Sequence, residues 1–192
     1  YFSKESILQL SKQYGLKGTT VDSYISRSLG RKDIIQLKRG MYTTADFYEK
    51  NIGDISYKFY LANVLCTPSY VSSWTALQYY DLTTEVIAGI TSVTPKITRT
   101  YTNKAGSFAY HLIKKDLFSG FSLVKGKSDF FIASPAKALF DLLYFRTRQF
   151  SRVKFEMIGE MIDGLRIDID EMEEKERTVF STMIKKYLKH HG

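Results

Sequence analysis

The chain holds one cysteine, Cys66, in 192 residues, so it can form neither an internal disulfide nor a multi-cysteine zinc site. A fold that does not depend on an oxidising compartment leans towards the cytoplasm. No apolar run approaches the roughly 18 residues needed to cross a bilayer, no signal peptide is visible, and a membrane is not an expected partner. The chain starts at Tyr1 rather than Met, which leaves room for an upstream segment. With only three prolines and 12 glycines, low-complexity linkers are absent too. Histidine is equally scarce. His190 and His191 lie at the chain end, where order is least expected. His111 sits in a predicted strand between Tyr110 and Leu112, where a half-buried structural role outweighs a catalytic one. There is no Gly-rich phosphate loop, no H-E-x-x-H and no G-x-S-x-G, and Lys125-Gly126-Lys127 is too short to cradle phosphate. No catalytic residue, metal or cofactor is assigned.

Aromatic residues and positive charge are plentiful. The 14 Tyr and 13 Phe, within a hydrophobic share of 44%, suffice for a packed core. The net charge of +8 favours polyanionic partners, nucleic acid or an anionic surface, although a merely basic soluble protein has the same composition. The charge is uneven. Residues 1–44 carry eight Lys/Arg against three Asp/Glu, and residues 96–155 twelve against three. Residues 156–176 reverse the sign, with nine acids against two bases.

Ser3 is a good helix N-cap, and Phe2 and Ile7 stand where a hydrophobic staple forms. Ile7, Leu10 and Tyr14 recur at helical spacing up to Gly15, which predicts a helix over Lys4–Tyr14. A second helix is predicted from Thr19 or Thr20 to Leu29–Gly30, with Val21, Ile25 and Leu29 on one face. Its other face is short, polar and basic: Thr19, Thr20, Ser23, Ser26, Arg27 and Arg31. Small hydroxyls approach phosphates and base edges, and arginine can bridge guanine, so this face fits a recognition helix in a major groove. Alternating apolar residues from Ile34 to Thr44 then flank Lys38-Arg39-Gly40, a hairpin with a basic tip. Helix, turn, helix and hairpin make a winged helix. Arg27 and Arg31 could equally be solvated, Lys38-Arg39 an ordinary polar turn, and winged helices also bind proteins.

Beyond residue 48, helices are predicted over Ile55–Leu65, after Ser72 as N-cap (carrying Trp74, Ala76, Leu77 and Tyr80), after Ser134-Pro135, over Val153–Asp163 and over about Glu173–Lys189. Between them, Val86–Thr94, Thr98–Tyr101, Phe108–Ile113 and Phe121–Val124 alternate as strands of a small, largely antiparallel sheet, with a turn at Asn103-Lys104-Ala105-Gly106. The expected fold is α+β: a winged helix-turn-helix domain over 1–48, then a mixed α+β domain over 49–192 with C-terminal helices. The first domain's DNA contacts would be Thr19, Thr20, Ser23, Arg27, Arg31, Lys38 and Arg39. Lys96, Arg99, Lys104, Lys114, Lys115, Lys125 and Lys127 would be secondary phosphate contacts or a solvated sheet face. A metal-dependent nuclease would need clustered carboxylates. Asp116, Asp129 and Asp141 are scattered, and Asp141 reads as a helix residue making a local structural bond.

Three segments resemble the AbiEi-type antitoxins of bacterial type IV toxin–antitoxin systems. They are Ile35-Gln36-Leu37-Lys38-Arg39-Gly40-Met41-Tyr42, Pro68-Ser69-Tyr70-Val71-Ser72-Ser73-Trp74-Thr75-Ala76-Leu77 and Ile132-Ala133-Ser134-Pro135-Ala136-Lys137-Ala138-Leu139-Phe140-Asp141-Leu142-Leu143. The family shows a wing ending in R-G-x-Y, a P-x-Y-[VI]-S…A-L helix and an A-S-P-E-K-A-L-x-D-L helix, in this order. Ala136 departs from it, standing where the family usually has Glu. The resemblance implies a winged helix that binds operator double-stranded DNA and represses its own operon. Self-association on repeated sites fits that reading, because one small winged helix reads too few bases for tight specificity by itself. It also implies a C-terminal domain that counters a nucleotidyltransferase-like toxin without a stable complex. Two other readings follow from the residues alone: a winged-helix protein-interaction module without sequence preference for DNA, and the nuclease.

Overall fold

The computed structural model describes residues 1–86 and 88–191, with His190 and His191 described by backbone alone, so the expectation of disorder at those two side chains lies outside it. The fold is mixed α+β, with eight α-helices, a small antiparallel sheet and a larger mixed sheet among the described residues. No helix among them is long and apolar enough to cross a membrane.

Strand β1 (Phe2–Ser3) leads into helix α1 (Lys4–Gln13). Ser3 caps α1 reciprocally: its Oγ accepts from the Ser6 N–H at 3.0 Å, and its own N–H donates to the Ser6 Oγ at 3.1 Å. After the turn at Gly15, helix α2 runs over Gly18–Gly30, one or two residues earlier than the threonines suggested. The hairpin follows as β2 (Ile34–Lys38) and β3 (Met41–Thr44), and β1 pairs with β3 to give the sheet order β1-β3-β2. Gly40 turns the hairpin at φ +76°, a conformation that a Cβ would strain. Its carbonyl accepts from the Lys4 N–H at 2.8 Å, which ties the hairpin tip to the start of α1. Among the described residues, Val21, Ile25 and Tyr42 form the small buried cluster between the two helices and this sheet. Ile35 and Leu37, on the hairpin, and Tyr48, on α3 (Ala45–Asn51), belong instead to the larger core.

Helix α4 (Ile55–Leu65) packs against the centre of the second sheet. Phe59, Ala62 and Leu65 are buried as expected, but Ile55 is half exposed at the helix start. The sheet has six strands in the order β6-β7-β5-β4-β9-β8. These are β4 (Tyr70–Val71), β5 (Ile90–Thr94), β6 (Arg99–Asn103), β7 (Gly106–Leu112), β8 (Phe121–Val124) and β9 (Phe130–Ala133). The expectation of a largely antiparallel sheet is corrected. β4 runs parallel to β9 and β5 parallel to β7; neither pair is consecutive in the chain, so neither is joined as a hairpin. The strand expected from Val86 starts only at Ile90. Val86 is 90% exposed and has nothing to pack on, while Ile87 lies outside the described residues. The turn at Asn103–Gly106 is present, with the Asn103 Oδ1 accepting from the Ala105 N–H.

Helix α5 (Ser73–Tyr79) packs on α6 (Pro135–Arg146), and α6 carries the terminal helix α8 (Glu174–His191). Ser134 caps α6 by accepting from the Lys137 N–H. The helix expected over Val153–Asp163 divides into a 3-10 turn at Phe155–Met157 and a short α7 (Ile158–Asp163). His111 is half-buried and stacks on Phe145 at 4.9 Å between centroids. Burial holds its pKa below the usual 6.5. The fold therefore favours neutral imidazole, and the unfolded chain takes up a proton first as pH falls. Stability is full above about pH 6.5 and declines below it, starting before the carboxylates titrate. A His111→Phe variant should lose this mild-acid component in urea midpoints compared at pH 7.5 and 5.5.

Candidate nucleic-acid interface

The two faces of α2 differ as its periodicity requires. Val21 and Ile25 are buried, whereas Thr19, Ser23, Ser26, Arg27 and Arg31 are exposed, and Thr20 is half-buried. The exposed row is linked along the helix: the Ser23 hydroxyl donates to the Thr19 carbonyl at 3.0 Å, and the Arg27 Nε to the Ser23 carbonyl at 3.3 Å. The Arg27 guanidinium lies 4.7 Å over the Tyr24 ring, which holds its stem against the helix and its charge outward. Asp22, the helix's only acid, pairs with Lys4 of α1, and this hydrogen bond holds the lysine above its ordinary pKa. The outward face thus carries positive charge without an uncompensated carboxylate.

The hairpin residues separate. Arg39 is exposed at the turn. Lys38 points the other way: its ammonium donates to the Leu65 carbonyl at 2.8 Å and lies 5.9 Å from the Tyr101 ring centroid. Arg99 shares that ring, donating to the Tyr101 hydroxyl at 2.8 Å. The Lys96 ammonium donates to the Thr67 carbonyl. Lys38 therefore meets a carbonyl in the last turn of α4, where the helix dipole favours cations, and Lys96 meets one two residues beyond the helix.

The seven secondary cations do not form one patch. Lys96, Arg99 and Lys104 lie along the β6 edge, with Lys104 over the Tyr48 ring at 5.7 Å. Lys114 and Lys115 are exposed beside the 3-10 turn Lys115–Leu117 that follows β7. Lys125 and Lys127 lie between β8 and β9 at the opposite edge, and Lys125 pairs with Asp129 at 3.5 Å.

A different cluster sits inside the molecule. The Lys137 ammonium and Asp141 carboxylate pair at 2.6 Å, one turn apart on α6, with side chains 1% and 0% exposed. Asp141 also accepts from the Ser72 hydroxyl at 2.7 Å and the Tyr70 hydroxyl at 3.0 Å. Burial pushes the Asp141 carboxyl upward in pKa, against the Lys137 charge and the hydroxyl donors. Ser72 was expected to cap α5. It precedes the helix, but its hydroxyl serves Asp141 and makes no cap bond. Gly120, at φ +75°, closes over the pair, and a Cβ there would stand 3.1 Å from the Lys137 Cγ. The signal for this network was two opposite charges four apart in an otherwise apolar helix. Asp116, Asp129 and Asp141 are not brought together, and no group of three His, Cys, Asp or Glu able to hold a metal ion occurs among the described residues.

No protein-family model and no curated protein matches the chain.

Proposed function

We propose that the chain is a non-enzymatic, cytoplasmic transcriptional regulator. In this reading the N-terminal elements are a winged helix, α2 enters the major groove of duplex DNA, and the hairpin is the wing. The observation that carries the proposal is the exposed row Thr19, Ser23 and Arg27, continued by Arg31, with the sole acid of α2 neutralised by Lys4. Arginine reads base edges in that groove, the hydroxyls reach phosphates, and Arg39 adds a wing contact. Lys38 and Lys96 drop out of the contact set, because both ammoniums are taken by backbone carbonyls. The exposed Lys114 and the β6-edge Arg99 remain as phosphate contacts. The three segments resembling AbiEi-type antitoxins extend the proposal to an autorepressor that counters a nucleotidyltransferase-like toxin, tested by rescue of growth on co-expression.

The DNA reading is tested by titrating labelled duplex from the gene's own upstream region, beside a scrambled duplex, at two salt concentrations. Arg27→Ala and Arg31→Ala should each weaken native-duplex binding by about 1–3 kcal/mol and narrow the preference over the scrambled duplex. Lys114→Ala should weaken both duplexes alike and lower the salt slope by about one. Equal, weak binding of both duplexes by the parent chain would reject sequence-specific recognition.

A further inference from the structure

Helices α1 and α2 leave an apolar groove of about 390 Å³ open on the side of Phe2 and Ile34. Ile7 and Leu10 line it from α1, Tyr14 from the cap that ends α1, and Val21, Tyr24 and Ile25 from α2. Leu10 is 57% exposed, Tyr14 79% and Tyr24 54%. These are large side chains at i, i+3 and i+7 along one helix and its cap, and at i, i+3 and i+4 on the other. Polar residues would serve better there if the face met only water. Two short amphipathic helices joined along one seam leave a trough between them, and the shape that fills such a trough is a third helix.

The trough's charge specifies the occupant. The rim is net basic: Arg27 lies over Tyr24, and Lys12 and Lys17 are exposed beside the lining residues Ser11 and Leu16, none of the three in an ion pair among the described residues, against one exposed acid, Asp33, beside Ile34. The acid next to them on α2, Asp22, is tied to Lys4. A second copy offers a poor match. The apolar face of α8, its longest helix, is already buried through Phe180, Ile184 and Tyr187, and the exposed Lys185, Lys186 and Lys189 would repel the lip. We infer that the groove seats an amphipathic helix of a partner protein, with apolar side chains at i, i+3, i+4 and i+7 and acidic residues along its flank.

The test uses a stapled helical peptide of about 15 residues with that leucine spacing and glutamate flanks, beside a twin with lysine flanks. Binding to the full chain is read by fluorescence anisotropy without DNA, because Arg27 is shared with the proposed DNA face. The glutamate peptide should bind with a Kd of about micromolar order, and the lysine twin about tenfold more weakly or worse. Leu10→Glu and Tyr24→Ser should each cost about tenfold, whereas Leu123→Ser on β8, also an exposed apolar position, should change nothing. Leu10 and Tyr24 are more than half exposed, so these variants should fold, as circular dichroism would verify. The inference is overturned if the glutamate peptide does not bind, if both peptides bind alike, or if Leu10→Glu binds like the parent. A concentration-dependent dimer of the chain that Leu10→Glu abolishes would overturn it in favour of a second copy. None of these outcomes depends on whether the chain binds DNA.

Discussion

Asp141→Ala is expected to destabilise the fold by about 3–5 kcal/mol, seen as a lower urea midpoint at pH 7. The substitution removes the carboxylate paired with the Lys137 ammonium, whose side chain is 1% exposed, and leaves that buried cation without this counter-charge. It also strips the acceptor from the Tyr70 and Ser72 hydroxyls. Lys137→Met should cost a similar amount through the opposite stranding, although the two hydroxyls still donate to Asp141. The double variant Lys137→Met/Asp141→Leu should lose less than either single, because no isolated charge remains. Adding Tyr70→Phe and Ser72→Ala should recover more, since each buried hydroxyl left without an acceptor costs about 1–3 kcal/mol. If the double variant is as unstable as the sum of the singles, the pair is not acting as a unit.

This network also bears on how the sequence is read. The second and third of the segments resembling an antitoxin family meet in it: Tyr70 and Ser72 come from one, Lys137 and Asp141 from the other, and Val71 pairs with Ile132 between them. Their shared pattern describes the inside of the larger core, so it speaks for fold more directly than for function. Features governed by neighbours in sequence were legible: the Ser3 and Ser134 caps, the Gly40 turn and the apolar face of α2. Features set across long separations were not. Lys38 reads as a wing residue until Leu65, 27 positions on, takes its ammonium. The two-residue β4 gives no periodicity to detect, and with it the mixed sheet was missed. The open groove was visible only in part, since Leu10 and Tyr14 look like core residues until no surface is found opposite them.

Phe140→Ala should destabilise the chain by about 3–5 kcal/mol, the range for emptying an aromatic site in a packed core. The ring is 1% exposed and lies 5.4 Å from Phe150, 5.8 Å from Tyr187 and 6.0 Å from Tyr144, centroid to centroid. Through Tyr187 it holds α8 against α6, so its loss should expose the C-terminal helix to proteolysis before the sheet unfolds. Its second role is electrostatic: the Lys137 ammonium lies 5.0 Å from the ring centroid. Phe140→Leu separates the two roles, because leucine refills much of the volume without presenting a π face. Alone it should cost about 1–2 kcal/mol, of which the desolvated cation–π contact accounts for a large part. Paired with Lys137→Met in a double-mutant cycle, it should show a coupling of about 0.5–2 kcal/mol. Strict additivity would mean that Phe140 acts by packing alone and that Asp141, Tyr70 and Ser72 suffice to keep the buried charge in place.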